Sequence, residues 1–229
     1  MQIASLEIIE TLHGQVVNAL SLAQTFHCMV ELHAFATADG NLVIPSITRP
    51  QTHASLTSLQ DLAAEREQLE KKCGKQLVNL ALYFHSHSGD VQPSLGDFLS
   101  GVNLSMLLQH YGYELGFGET FIPPRFCTAN QQGHLFTYHF TQTVGGLQKL
   151  RELVQQRMQY LAEEAGLPDP LTAEANEIFE EDFIQDRQWY MRHAEHEFWM
   201  RWDRNIGVSV LSFGYALFPF DLVGEAIVL

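Results

Sequence analysis

The residues whose types and spacing could do chemistry lie between His85 and Asp97. His85 and His87 flank Ser86 directly after an apolar run, and Ser94 and Asp97 follow a short loop. Residues two apart in a strand point to the same face, so both imidazoles can reach one pocket. Asp97 can add an oxygen ligand from the first turn of the helix that follows. Two histidines and a carboxylate in this order indicate a metal site.

Three protein ligands leave the fourth position of a tetrahedral ion open, which is typical of a catalytic zinc site. A structural site more often fills all four positions with protein ligands, and no cysteine lies near these histidines in sequence. H-x-H at a strand end also occurs without a metal, and Ser-x-x-Asp is by itself an ordinary helix cap. The joint pattern is therefore what favours a Zn²⁺ ion here.

Hydrophobic periodicity predicts the elements that position these residues. It predicts helices at Ser21–Met29, Leu59–Gln76, 95–110, Leu147–Gly166 and Thr172–Asn205, and strands at Met29–Ala36, Leu42–Ile47, Leu77–Phe84, Tyr113–Glu119 and His134–Phe140, with one or two more in Gly207–Leu229. A loop is predicted at 121–133 and a linker at Leu167–Leu171. The near-continuous apolar run Leu77–Phe84 is typical of a strand buried on both faces. The fold class we expect is α/β (α+β), a mixed sheet flanked by helices.

Composition and charge exclude several classes of protein. The chain has 229 residues, 46% of them apolar and 17% charged, which is ordinary for a globular protein. Its 13 Lys+Arg against 27 Asp+Glu give a net charge of −14. Such a charge disfavours non-specific binding to nucleic acid or to an anionic membrane, because both require a basic surface.

Targeting signals and cysteine use favour a soluble, cytoplasmic protein. The first residues carry Glu7 and Glu10 and no basic stretch, so they do not form a signal peptide. The three cysteines are scattered, which favours buried reduced thiols over a disulfide framework. The apolar C-terminal stretch is interrupted by Pro219, Asp221 and Glu225, so it does not predict a membrane span.

The order of motifs resembles the JAMM/MPN+ (Mov34/JAB) zinc metallopeptidase family. That family carries H-[ST]-H-P, then Ser-x-x-Asp, with a glutamate well upstream at the start of a strand. His85-Ser86-His87 and Ser94 with Asp97 match this pattern, and Glu31 stands in the strand-like segment upstream. The resemblance spans residues 20–140. It departs from the family in Ser88, which replaces the proline, and in a loop one residue shorter before Ser94. Both changes concern the loop and leave the ligand set intact.

The resemblance implies an MPN-like core at 1–145 and a C-terminal extension at 146–229, mainly helical with terminal strands. It implies hydrolysis of the peptide or isopeptide bond after the tail of a ubiquitin-like or sulfur-carrier-type protein. Zinc lowers the pKa of its bound water to about 7. Glu31 is the candidate general base that takes the water proton, and Ser94 is the candidate donor to the developing oxyanion.

Several alternatives remain open at this stage. Glu31 could be a solvated carboxylate at a strand edge, and Ser94 could be a plain N-cap. Glu65, Glu67 and Glu70 are rival bases, but their helix face predicts that they are solvated. His33, two residues after Glu31 in the same strand, could either orient a carboxylate or be a core histidine.

Other histidine patterns fit less well. The chain after His87 is too short for a β/α barrel of the amidohydrolase kind. A cupin-like site could use His134 and His139, but the helix after the loop argues against a jelly roll. His193 and His196 share a predicted helix face and are interpreted as a solvated or interface pair.

Two non-enzymatic functions stay possible for the whole chain. One is a catalytically silent MPN-like scaffold, although such scaffolds typically lack the full ligand set. The other is a metal-binding interaction protein without peptidase activity. The aromatic segment 172–205 is either the core of an added subdomain or a face that binds a protein partner.

Overall fold

The computed structural model describes residues 5–46, 58–87, 91–118, 120–130, 132, 134–164, 166, 192–199 and 224–229, with 196–199 described by their backbone. The helices within these residues are α1 (Leu6–Phe26), α2 (Leu59–Cys73), α3 (Leu95–Tyr111) and α4 (Val144–Glu164). The strands are β1 (Glu31–Thr37), β2 (Leu42–Ile44), β3 (Leu77–His87), β4 (Arg125–Asn130), β5 (Leu135–His139), β6 (Glu195–Trp199) and β7 (Ala226–Val228).

One mixed sheet joins the described strands in the order β6-β5-β4-β3-β1-β2-β7. Neighbouring strands are antiparallel except for β3 with β4 and β2 with β7, which are parallel. A parallel neighbour requires a crossover connection, and α3 lies in the connection from β3 to β4. The mixed sheet with its helices agrees with the predicted α+β class.

Apolar clusters lie on both faces of the sheet. On one face, Ile8 and Leu12 of α1 belong to a buried cluster with Phe84 of β3. On the other face, helices α2, α3 and α4 contribute to a second cluster that contains Phe98 of α3 and Tyr83 of β3. Because β3 contributes to both clusters, the prediction of a strand buried on both faces is confirmed.

The first helix is longer than the sequence pattern indicated. Of the predicted helix Ser21–Met29, the residues up to Phe26 form the end of α1, which begins at Leu6, and the predicted end at Met29 is wrong because His27 caps the helix in a left-handed conformation. Ser5 caps its N-terminus by accepting a hydrogen bond from the amide of Ile8 at 3.4 Å, and Glu7 lies in the first turn. Both features stabilise a helix start, and the sequence analysis did not use them.

The predicted strand Tyr113–Glu119 is wrong. Its described residues form turns after α3, in which the amide of Phe117 donates to the carbonyl of Gly112 at 2.9 Å. Gly116 has a φ of 85°, a left-handed conformation that glycine adopts readily and that a strand does not contain. The apolar residues of this segment recur with the period of a strand, but its glycines determine the backbone conformation.

Strand β4 lies inside the segment that was predicted to be the loop 121–133. All of its residues are buried, and it pairs in parallel with β3 from Leu82 opposite Arg125 to His87 opposite Asn130. The two prolines before it indicate a break in regular structure, but they end where the strand begins. The strand therefore supports the end of β3 that carries the histidines. The predicted strand His134–Phe140 is confirmed as β5.

The predicted helix Thr172–Asn205 is wrong at Glu195–Trp199, which is strand β6. This strand pairs antiparallel with β5, and residues 192–194 form a turn before it. Pairing with a sheet edge overrides a helical pattern when aromatic residues favour the extended form. The rest of that prediction, the linker Leu167–Leu171 and most of the predicted partner face 172–205 lie outside the described residues.

The end of the chain returns to the opposite edge of the sheet. β7 is a strand within the predicted segment Gly207–Leu229, of which residues 207–223 lie outside the description. The predicted boundary between 1–145 and 146–229 falls in the first turn of α4. Strands β6 and β7 both follow that boundary and form the two edges of the sheet. The division into core and extension itself stays a prediction.

Among the helices in the described part of the chain, none combines the length and the apolar character needed to cross a bilayer. Cys28, Cys73 and Cys127 are free thiols, and only Cys127 is fully buried, so the expectation of buried thiols is wrong for the other two. Burial raises the pKa of Cys127 well above its ordinary value despite the opposing charge of Arg125.

Candidate metal centre

The site lies where β3 ends and α3 begins. Ser94 is the N-cap of α3, and its hydroxyl accepts a hydrogen bond from the amide of Asp97 at 3.1 Å. The same hydroxyl donates to Asp97 Oδ2 at 2.8 Å, and the Ser94 amide donates to that oxygen at 2.9 Å. This capping box fixes the Asp97 carboxylate at the N-terminus of the helix, where the helix dipole favours a negative charge.

The three predicted metal ligands converge on one point. The Nε2 atoms of His85 and His87 are 2.9 Å apart. His85 Nε2 lies 3.5 Å from Asp97 Oδ1, and His87 Nε2 lies 3.4 Å from Asp97 Oδ2. Within the described residues, these three form the group whose ligand atoms all lie close enough to hold one metal ion.

The spacing of these groups is close to that of a tetrahedral metal site. Ligand bonds of about 2.0–2.1 Å at tetrahedral angles place the ligand atoms about 3.3 Å apart. The two imidazole nitrogens are 2.9 Å apart, and the Asp97 distances of 3.5 and 3.4 Å end on different oxygens, Oδ1 for His85 and Oδ2 for His87. Two imidazole nitrogens and one carboxylate oxygen are also the donor types that zinc binds. The residues present therefore fit the ion that the sequence predicts.

The three candidate ligands are largely buried, and their charges affect one another. The side chain of His85 is 5% exposed, and those of His87 and Asp97 are 13% and 15% exposed. Burial alone would raise the pKa of Asp97. The charge of His85 and hydrogen bonds from His85 and His87 outweigh that effect and hold the pKa of Asp97 well below its ordinary value. Asp97 is therefore an anionic carboxylate beside two imidazoles.

Ser86, between the two histidines, connects the end of β3 to the chain before β1. Its hydroxyl accepts a hydrogen bond from the Val30 amide at 2.9 Å, and its own amide donates to the Val30 carbonyl at 3.0 Å. Alternation along a strand sends its side chain to the face opposite the histidines. That alternation is the signal that could have identified Ser86 as the residue holding the strand end in place.

Glu31 occupies the first position of β1 and lies directly opposite His85 in the antiparallel pair of β1 and β3. Residues opposite one another in a ladder project to the same face, so Glu31 lies on the face that carries His85. Its side chain is 3% exposed, and its Oε1 accepts a hydrogen bond from Tyr83 at 3.2 Å. The alternative of a solvated strand-edge carboxylate is therefore wrong.

The rival glutamates of α2 have other partners. Glu65 contacts His33, with 2.7 Å between Oε2 and Nδ1. Glu70 pairs with Arg66 at 2.8 Å and accepts a hydrogen bond from the amide of Leu77 at 2.7 Å. Only Glu67 is exposed as expected, and the prediction of solvated side chains is wrong for the other two.

A small, partly open cleft lies beside the ligand set. It is lined in part by Tyr83, His85, Asp97, Gly101 and Tyr138. A β-carbon at Gly101 would lie 3.1 Å from the ring of Phe140 and 3.3 Å from the ring of Tyr138. Glycine therefore allows the helix to pack closely against the two aromatic rings at this wall of the cleft.

Histidines elsewhere in the described residues do not join the site. His139 lies 2.6 Å from an Arg125 nitrogen and 3.3 Å from Glu195, and burial followed by the Arg125 charge lowers its pKa. The predicted helix face shared by His193 and His196 is wrong, because His193 lies in the turn before β6 and His196 in that strand.

No family model, no curated protein and no solved structure matches this chain.

Proposed function

We propose that this chain is a zinc-dependent hydrolase that resembles the JAMM/MPN+ metallopeptidases. Its substrate would be the peptide or isopeptide bond after the C-terminal tail of a ubiquitin-like or sulfur-carrier-type protein. The convergence of His85, His87 and Asp97 on one point, with Glu31 on the same face of the sheet, carries the proposal. Both non-enzymatic alternatives leave this buried glutamate without a function.

Each ligand residue has a defined role in the proposed mechanism. His85 and His87 would hold the ion through Nε2, and Asp97 would hold it through a carboxylate oxygen that the Ser94 cap fixes in place. Bound zinc supplies a Lewis acid that makes water nucleophilic near neutral pH. With only three protein ligands, such a site would leave space for a water and for the substrate carbonyl.

Glu31 acts as the general acid–base residue. Its carboxylate takes one proton from the attacking water and gives the same proton to the leaving nitrogen, so the enzyme returns to its starting state. Its low exposure strengthens this proton transfer, because competing bulk water is kept away. Tyr83 donates to Oε1, so this oxygen already has a partner and Glu31 is held in one orientation.

Ser94 has two roles that compete for one proton. A hydroxyl has one hydrogen to donate, and that of Ser94 is directed to Asp97 Oδ2. Donation to an oxyanion would require release of this bond during the reaction. We therefore assign Ser94 first to the orientation of Asp97, and its oxyanion role stays a prediction.

The proposal is tested by metal analysis combined with cleavage assays. Protein purified without chelator should contain about one zinc per chain, as a single tetrahedral site requires. His85→Ala and His87→Ala should lose that zinc, whereas Glu31→Gln should retain it. Wild-type protein should cleave a member of a panel of ubiquitin-like and sulfur-carrier fusion proteins, and Glu31→Gln should not.

The outcomes separate the candidate functions. Protein without zinc, even after incubation with zinc salts, would contradict the metal centre itself. Zinc that depends on the two histidines, without cleavage of any fusion, would favour the metal-binding interaction protein. Full activity in Glu31→Gln would remove Glu31 from the mechanism.

A further inference from the structure

A buried imidazole lies between two carboxylates next to the proposed base. His33 Nδ1 is 2.7 Å from Glu65 Oε2, and His33 Nε2 is 3.9 Å from Glu31 Oε2. The side chains of His33 and Glu31 are only 7% and 3% exposed. The mechanism above uses Glu31 but assigns no function to His33 or Glu65.

The contact with Glu65 determines the protonation of one ring nitrogen. An ionised carboxylate can only accept hydrogen bonds, so the 2.7 Å contact assigns a hydrogen to His33 Nδ1 and makes it the donor to Glu65. In a neutral ring, Nε2 would then present a lone pair toward the carboxylate of Glu31. Nε2 is buried and has no hydrogen-bond partner among the described residues. Two acceptors facing each other in a buried site are unfavourable.

A proton on Nε2 resolves this conflict. An imidazolium donates at both nitrogens and so satisfies Glu65 on one side and faces Glu31 with a donor on the other. The separation of 3.9 Å is longer than a hydrogen bond, and contacts of catalytic groups commonly tighten when substrate binds. Tyr83 supplies the other restraint, since it donates to Glu31 Oε1 and its ring centroid lies 4.7 Å from that of His33.

We propose that His33 is a positioning residue, an imidazolium held by Glu65 that orients Glu31 through its Nε2 hydrogen. This inference rests on the proposed function of Glu31. His33 keeps its proton throughout, while Glu31 takes one proton from water and passes it to the leaving nitrogen. This inference leaves the proposed substrate class unchanged. It concerns only the orientation of Glu31, the proposed base.

The protonation of His33 can be measured without any substrate. In ¹⁵N-labelled, metal-free protein at pH 7, the two ring nitrogens of His33 should both have the chemical shifts of protonated nitrogens. In Glu31→Gln, which has nearly the same shape without the charge, the Nε2 shift should move toward that of a neutral ring. A neutral ring in the wild type, or an Nε2 shift that Glu31→Gln leaves unchanged, would overturn the proposal.

Two substitutions of His33 separate positioning from a structural role. Asparagine keeps a donor near the Nδ1 position, facing Glu65, but loses the group that faces Glu31. Glutamine places an amide donor near the Nε2 position, facing Glu31. We expect His33→Asn to lower kcat about 10- to 100-fold with little change in KM, and His33→Gln to retain most of the activity.

The two proposals fail in different ways. A merely structural His33 would make both variants lose kcat in proportion to their loss of thermal stability, and that result would also overturn the positioning role. If the wild type cleaves no fusion, the proposed hydrolase fails, and the ¹⁵N measurement still decides whether His33 is held as an imidazolium between Glu31 and Glu65.

Discussion

Glu31 and His85 lie directly opposite one another in the antiparallel ladder of β1 and β3. The pairing joins two residues that are far apart in sequence, and it places the proposed base and a candidate metal ligand on adjacent strands of one sheet face. Hydrogen bonds between Ser86 and Val30 hold the two strand ends together at this position. The distance between the proposed base and the proposed metal site is therefore set by backbone pairing, which is a rigid support.

This pairing predicts that the length of the side chain at position 31 matters as much as its charge. Glu31→Asp keeps the carboxylate but withdraws it by one methylene, and a displacement of about 1 Å can cost roughly 100-fold in rate. We expect kcat on a cleavable ubiquitin-like fusion to fall by about that factor while the zinc content is unchanged. Glu67→Asp, on the exposed face of α2, is the matched control and should behave as wild type. Near-wild-type activity in Glu31→Asp would contradict the rigid placement.

Metal binding should appear as thermal stability. A ligand present at about 100 times its Kd stabilises the folded state by about 2.7 kcal/mol, which raises the Tm of a chain of this size by about 5–10 °C. Zinc should therefore raise the Tm of the wild type measured by calorimetry, and a chelator should reverse the change. His87→Ala should not respond to zinc, whereas the exposed His110→Ala on α3 should respond fully. Equal responses in these two variants would place the zinc elsewhere.

The ligand set could be predicted from sequence because its members are local. His85 and His87 obey the strand period, and Ser94 and Asp97 obey the spacing of a capping box, so short-range rules are enough to bring them together. The placement of Glu31 depended on a resemblance, because the antiparallel register of distant strands is not a local property. The register also shifts after Ala34 and after Ala36, and the simple alternation of side chains along a strand does not predict such shifts.

The contact between His33 and Glu65 also joins residues that are distant in sequence, so local patterns did not predict it. Sequence analysis left His33 either as a core histidine or as an orienting group, and expected a solvated Glu65 on its helix face. The structure packs α2 against the sheet, which brings the side chains of His33 and Glu65 within 2.7 Å of each other.

Strand β4 was not predicted for a different reason. Pro123 and Pro124 indicated a loop, and the buried strand begins at the residue directly after them.

Acid should destabilise the protein partly through His13 in α1. Burial lowers the pKa of His13 below its ordinary value of 6.5, so the folded state binds this proton less readily than the unfolded state does. The resulting stability is fully present above pH 6.5 and is lost as the pH falls below it. Urea unfolding between pH 7.5 and 5 should show a smaller decline in the free energy of unfolding for His13→Leu than for the wild type. An identical decline would exclude His13 as a cause.

Two capping boxes of the same design allow the site role of Ser94 to be separated from its role as a helix cap. Ser94 with Asp97 begins α3, and Ser58 with Asp61 begins α2. Ser94→Ala and Ser58→Ala should each lower the free energy of unfolding by about 1 kcal/mol, the usual cost of losing an N-cap. Only Ser94→Ala should also weaken zinc binding, by about 10- to 100-fold, because Asp97 loses the donor that orients its carboxylate. The zinc affinities are measured by competition with a chromophoric chelator. If Ser58→Ala weakens zinc binding as much as Ser94→Ala, the effect of Ser94 is one of general stability and not of ligand orientation.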